Sequence, residues 1–124
     1  MNTSPTPAAN VFARACASRG VLQDITGRWG VLVLAALTEK TCRFSELRRH
    51  IDGVSERMLS QTLQNLERDG LVNRTVRTTI PPHVEYSLTD LGQRITSPLL
   101  TLIDLVEEAV PQIETAQHNY DSNS

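Results

Sequence analysis

The chain's 124 residues, 40% hydrophobic and 21% charged, suit one globular domain with a modest core and exclude a wholly disordered chain. A formal net charge of −2 gives no bulk attraction to nucleic acid, but the charge is segregated: residues 40–94 hold nine Lys/Arg against seven Asp/Glu, net +2, and residues 95–124 hold five acids and no Lys or Arg, net −5. Two cysteines, Cys16 and Cys42, are too few for a disulfide framework and lack the spacing of a zinc site or a CxxC pair, so reduced thiols, no metal and no cofactor are expected.

The first ten residues, MNTSPTPAAN, have neither the basic region nor the apolar stretch of a signal peptide, and residues 1–10 are read as a disordered segment. No apolar run reaches bilayer-spanning length, so no membrane and a cytoplasmic location are expected. Asn10 can cap a helical stretch through Val11, Phe12, Ala15 and Cys16, with Gly20 interrupting it before Val21, Leu22 and Ile25. Gly27 closes that segment. Trp29 then opens an almost wholly apolar run from Val31 to Leu37, whose length and paired alanines favour a central core helix over a buried strand.

Residues 43–51, RFSELRRHI, put Phe44, Leu47 and Ile51 on one face of a short helix. Asp52-Gly53-Val54 makes a tight connection into SERMLSQTLQNLERDG, which Ser55 can cap at its start and Gly70 at its end. Leu59, Leu63 and Leu66, with Met58 and Thr62 beside them, form a stripe facing the body of the domain. The opposite face carries Glu56, Arg57, Ser60, Gln61, Gln64 and Arg68 and has no core to fill. Arg, Gln and Ser can donate to base edges or phosphates, and Gln can satisfy an adenine's donor and acceptor together. An ordinary solvated face would look the same in an isolated helix, and Arg68 can simply pair with Asp69 or another acid.

Past Gly70 the period becomes two: Val72, Arg74 and Val76 share parity, as do Val84, Tyr86 and Leu88. The intervening Thr78–His83 contains Pro81-Pro82, which cannot donate ladder hydrogen bonds and belong in a stiff hairpin tip. Two short helices and a hairpin are the layout of a winged helix-turn-helix. Thr89-Asp90 caps the last element, where Ile95, Leu99, Leu102, Val106, Ala109 and Ile113 form a heptad-like seam beside Leu100, Ile103 and Val110. That is more apolar surface than a terminal helix needs on its own small domain, and it predicts a subunit interface through Ile95, Leu99, Leu102, Val106 and Ile113. Pro98 should kink the helix and Pro111 kink or stop it, with residues 118–124 frayed. The expected fold is mainly α with a small antiparallel β-hairpin: a winged helix-turn-helix over residues 11–88 and an added C-terminal dimerisation helix over 89–117.

Taken together, GRWGVLVLAAL, RFSELRRHIDGVSERMLSQTLQNLERDGLVNRTV and PPHVEYSLTDLG resemble the HxlR-type winged helix-turn-helix transcriptional regulators of the MarR-like group, over roughly residues 16–106. The resemblance implies a homodimer on double-stranded DNA, with the Ser55 helix in the major groove of a pseudo-palindromic operator and the hairpin on the flanking backbone. Carried over residue by residue, base readout falls to Ser55, Glu56, Arg57, Ser60, Gln61 and Gln64, and backbone contact to Arg28, Ser45, Arg48, Arg49, Arg77 and His83. Members of the family often carry a thiol thirteen residues before the tryptophan, where Cys16 stands relative to Trp29. The resemblance therefore implies redox sensing at Cys16, with an electrophile or oxidant as effector and Arg14 and Arg19 as neighbours able to stabilise a thiolate. Ala17 stands where the family usually has proline, and a buried, inert thiol remains the alternative reading.

The function these observations predict is a homodimeric, sequence-specific DNA-binding regulator, a repressor controlled through Cys16. The alternative is a winged-helix module for protein assembly alone, which calls for apolar residues where the Ser55 helix carries Arg, Gln and Ser. An enzyme is not expected, because His50, His83 and His118 have no partners at metal-ligand spacing and no GxSxG, HExxH or phosphate-cradling glycine loop occurs.

Overall fold

A computed structural model describes residues 10–123, in the order α1 (Ala17–Thr26), α2 (Gly30–Glu39), β1 (Cys42–Arg43), α3 (Phe44–His50), α4 (Glu56–Arg68), β2 (Val72–Arg77), β3 (His83–Leu88) and α5 (Asp90–Ser122). The disorder expected for residues 1–9 lies outside the described residues. The apolar run after Trp29 is the core helix: Val33, Leu34, Ala36 and Leu37 of α2 are buried, and Leu47, Leu59, Leu63, Leu66, Leu71 and Val72 close around them. Burial of a leucine or valine side chain contributes about 1.5–3 kcal/mol, and this cluster is what fixes α3, α4 and β2 to α2. No single helix among the described residues is long and apolar enough to cross a membrane.

Three local expectations give way to the structure. Asn10 does not start a helix, because its side-chain oxygen accepts the Phe12 amide at 3.2 Å and holds residues 11–15 in turns. The helix begins at Ala17, after Cys16, and runs through Gly20 without interruption. The hairpin is not alone: β1 pairs antiparallel with β3, Cys42 opposite Tyr86 and Arg43 opposite Glu85, giving a three-stranded sheet ordered β1-β3-β2. A two-residue strand is too short to leave a period-two signature.

The third difference is α5, which continues through Pro98 and Pro111 to Ser122, so that residues 118–122, expected to fray, are helical. Each proline removes one helix hydrogen bond, but both are exposed, as are Arg94 and Glu107, whose carbonyls lose the amide, and water can replace it. Of the predicted interface residues, Ile95 and Leu99 are half-buried against the domain's own core, whereas Leu102, Val106 and Ile113 are exposed. The seam therefore divides: its first turns close the monomer, and only the part beyond Leu100 is left without cover.

Candidate nucleic-acid interface

The helix-turn-helix is built by α3, the turn at Asp52–Val54 and α4. Within the turn Gly53 takes φ +85°, and after α4 Gly70 takes φ +78°, a left-handed region that a side chain would strain. Ser55 Oγ accepts the Met58 amide at 3.1 Å and starts α4. At the other end the Leu71 amide donates to Leu66 and the Gly70 amide to Glu67, each at 3.0 Å, a Schellman stop that satisfies the last carbonyls. Leu71 then accepts the Thr89 amide at 3.0 Å, and the Thr89 hydroxyl donates to the Gly70 carbonyl at 2.7 Å while accepting from the Gly92 amide at 2.9 Å. One threonine thus ties the end of α4 to the start of α5.

Between these caps α4 buries Leu59, Leu63 and Leu66. Met58, expected on the same stripe, is 45% exposed and turns instead toward a groove of about 400 Å³ that it shares with Asp24, Trp29, Thr62 and Asn65. Ser55, Glu56, Arg57, Gln61 and Gln64 are exposed and Ser60 half-buried, so the predicted reading residues lie together on the outer surface of one helix. The Gln61 amide donates to Asn65 at 3.0 Å and that of Gln64 approaches Ser60 at 3.5 Å, orienting both along the helix. Arg57 forms no ion pair among the described residues. Glu56 is different: its carboxylate lies 3.5 Å from Arg48 of α3, so a residue assigned to bases and one assigned to phosphate face each other across the turn.

The remaining predicted backbone residues are spread around this helix. Ser45 and Arg49 are exposed on α3, and Arg28 lies over the Trp29 ring at 5.1 Å, a cation–π contact at the start of α2. On the hairpin, Arg77 and His83 both contact Glu85, a residue that sequence reasoning passed over. Strand parity could have found it, since residues 83 and 85 share a face and the ladder places Arg77 opposite His83. Arg68 does not pair with Asp69. Asp69 instead sits against Asp24 of α1, and burial together with that neighbouring carboxyl pushes its pKa up to about 6.

Cys16 is partly exposed at the N-terminus of α1. Its sulfur lies 3.0 Å from the Ser18 hydroxyl and accepts the Asn10 amide at 3.3 Å. These contacts bring the thiol down to about 7, the Ser18 hydroxyl contributing most and the Asn10 and Ser18 amides next. The expected guanidinium neighbours are not the cause, and the Arg19 side chain donates to the Phe12 carbonyl at 3.3 Å. Cys42 is the opposite case, buried at the sheet edge with burial pushing its thiol up.

The sequence pattern of the HxlR-like helix-turn-helix family matches residues 24–114. The HTH-type transcriptional regulator YtfH of Escherichia coli is 54% identical over 104 residues, covering 84% of this chain and 82% of that protein. Among solved structures, the transcriptional regulator ytfH from Salmonella typhimurium is similar with a TM-score of 0.83 and 50% identity over 89% of this chain and 98% of that one. The redox regulator HypR in its reduced form is similar with a TM-score of 0.72 and 33% identity, over 79% of this chain and 97% of that one.

Proposed function

The chain belongs to the HxlR-like helix-turn-helix family of transcriptional regulators, and on that premise we propose that it acts as a homodimeric repressor that binds a pseudo-palindromic DNA operator. In this reading residues 11–88 form the DNA-binding unit and α5, from residue 89 onward, the dimerisation element. The observation that carries it is the outer face of α4, a row of Arg, Gln and Ser side chains held on a helix whose leucines, Leu59, Leu63 and Leu66, are buried in the core. Such a face offers donors to base edges, and Arg28, Ser45, Arg48, Arg49, Arg77 and His83 around it supply phosphate contacts. A protein-assembly module would instead need apolar anchors on that face.

The test is binding of the full chain to the DNA upstream of its own coding sequence at several salt concentrations. A dimer that neutralises ~8 phosphates gives a slope of log affinity against log salt of about −7. Binding that is absent or insensitive to salt rejects DNA as the partner.

Control through Cys16 is the regulatory part of the same reading. Its support is a partly exposed thiol brought down to about 7 at a helix N-terminus, together with the likeness to a redox regulator. Treatment with diamide or a quinone is expected to release wild-type protein from the operator and to leave Cys16→Ser bound. Equal release of both proteins removes Cys16 as the sensor.

A further inference from the structure

The hairpin has two faces, and the polar groups of one are spent on each other. Arg77 Nε donates to Glu85 Oε1 and His83 Nε2 meets Glu85 Oε2, each at 2.9 Å. On the other face, strand alternation lines up Val72, Arg74 and Val76 against Leu88, Tyr86 and Val84. Val72 is buried at the core end of this row, but Arg74 is exposed and forms no ion pair among the described residues, and Val76 is 58% exposed. The hairpin thus runs out beyond the core. At its tip Ile80 is 98% exposed, more than any other large apolar side chain among the described residues.

The tip is stiff and uncharged. Residues 78–82, Thr-Thr-Ile-Pro-Pro, lie beyond the last ladder pair, Arg77 with His83, and hold no ionisable side chain. Pro81 and Pro82 each fix one backbone dihedral, and the Pro81 carbonyl accepts the Thr79 hydroxyl at 3.5 Å and lies 3.4 Å from His83 Nδ1. An apolar side chain held out on such a tip is already ordered, so binding through it costs little further entropy. With no cation, the tip cannot neutralise a phosphate. The charge behind it selects the occupant: residues 72–88 hold Arg74 and Arg77 against Glu85, net +1, whereas residues 95–124 are net −5, so the hairpin is the end of the chain that a polyanion approaches. The minor groove of B-DNA is about 6 Å wide, walled by sugars and rimmed by phosphates, and isoleucine and proline are among the side chains that enter it.

We propose that Ile80, backed by Val76, is an apolar contact of the hairpin in the minor groove of DNA, with Arg74 behind it as a phosphate contact at the groove's rim. The two residues contribute in ways that salt tells apart. Arg74 displaces a counterion and Ile80 displaces only water, so the share of affinity carried by Ile80 is independent of ionic strength. This role rests on the DNA-binding reading above, and the test separates the two.

The experiment measures binding of the full chain, by fluorescence anisotropy at several salt concentrations, to a labelled duplex from upstream of its own coding sequence. Ile80→Ser is expected to bind about threefold to thirtyfold more weakly at every salt concentration with the slope of wild type, a loss on the scale of partly burying one apolar side chain in each copy. Ile80→Leu is expected to bind as wild type does. Arg74→Gln, with the tip intact, is expected to flatten the slope by about 0.9 per hairpin. The groove is identified by changing A·T pairs at the edges of the site, mapped by footprinting. Exchange to I·C leaves the minor groove as it was and should leave wild-type affinity alone, whereas exchange to G·C adds the guanine amino group to the groove floor and should weaken wild type more than Ile80→Ser. Unchanged binding by Ile80→Ser overturns the proposal, and so does a loss that comes with a flatter slope or an equal response of both proteins to G·C. A dimer that Ile80→Ser weakens in sedimentation would give the tip to a second copy and overturn it too. In all these cases salt-dependent wild-type binding persists and the DNA reading stands. Absence of wild-type binding at every salt concentration sinks that reading and the hairpin's role with it.

Discussion

Helices α4 and α5 carry apolar residues at the same spacing and meet opposite fates. In α4 the stripe Leu59, Leu63 and Leu66 is almost wholly inaccessible, and what remains outside is polar apart from Met58. In α5 only the first turns reach the core, and beyond them Leu102 is 53% and Leu105 59% exposed, with Val106, Val110 and Ile113 alongside. The first surface offers hydrogen bonds to a polar partner at little desolvation cost, whereas the second gains by leaving water and calls for an apolar one. A helix's period therefore says that a face exists, and its neighbours decide what that face meets.

The largest test of this contrast is to charge the uncovered face of α5. Leu102→Asp with Val106→Asp is expected to yield monomers by sedimentation and to weaken operator binding by about 100- to 10,000-fold, as two half-sites are no longer held together. The body of the domain, whose core these residues do not enter, should keep its helical spectrum. A dimer that survives both charges would move the interface elsewhere.

A smaller effect is expected on the polar face of α4. Arg57→Ala or Gln61→Ala should cost about 1–3 kcal/mol, concentrated at particular base pairs, and Arg49→Ala should weaken all sequences alike. A panel of operators with single base-pair changes separates the two patterns, and a uniform loss for all three variants would take base readout away from α4.

The smallest effect concerns the joint between α1 and α4. Asp69 has its pKa raised to about 6 in the folded chain, above the unfolded value of about 3.9, so the folded state binds the extra proton between those values. Its contribution to stability is complete at low pH and is lost as pH rises through about 6. Asp69→Asn removes the charge and is expected to raise stability by on the order of 1 kcal/mol at about pH 8, with the gain shrinking below about pH 5. Urea unfolding at the two pH values checks this, and a gain that is equal at both would assign the effect to something other than repulsion from Asp24.

Much of the fold was legible because its signals are local. Ser55, Gly70 and Thr89 mark element ends through hydrogen bonds and dihedrals set within a few residues, and the leucines of α4 repeat often enough to declare their face. What sequence missed depends on contacts between distant segments. The strand at Cys42–Arg43 exists only because β3 lies beside it, the division of the α5 seam at Leu99 depends on where the core ends, and the Asp24–Asp69 contact joins two helices. At the candidate site the polar row on the outer surface of α4 was legible from one helical face. The engagement of Glu56 by Arg48, and of Arg77 and His83 by Glu85, was not, since an ion pair depends on side-chain reach across a turn or a ladder.

The Thr89 tie has a mechanical consequence. Because its hydroxyl bridges the Gly70 carbonyl and the Gly92 amide, α4 cannot swing without carrying the base of a 33-residue rod about 50 Å long. Two copies joined along their rods would act as a caliper whose jaws are the two α4 helices. Successive major grooves on one side of duplex DNA recur every 34–36 Å or so, and a modest change in the angle between the rods puts one jaw out of phase with its groove. In such a dimer a signal arriving at α1 or α5 would release an operator without altering α4 at all: opening the caliper would be enough.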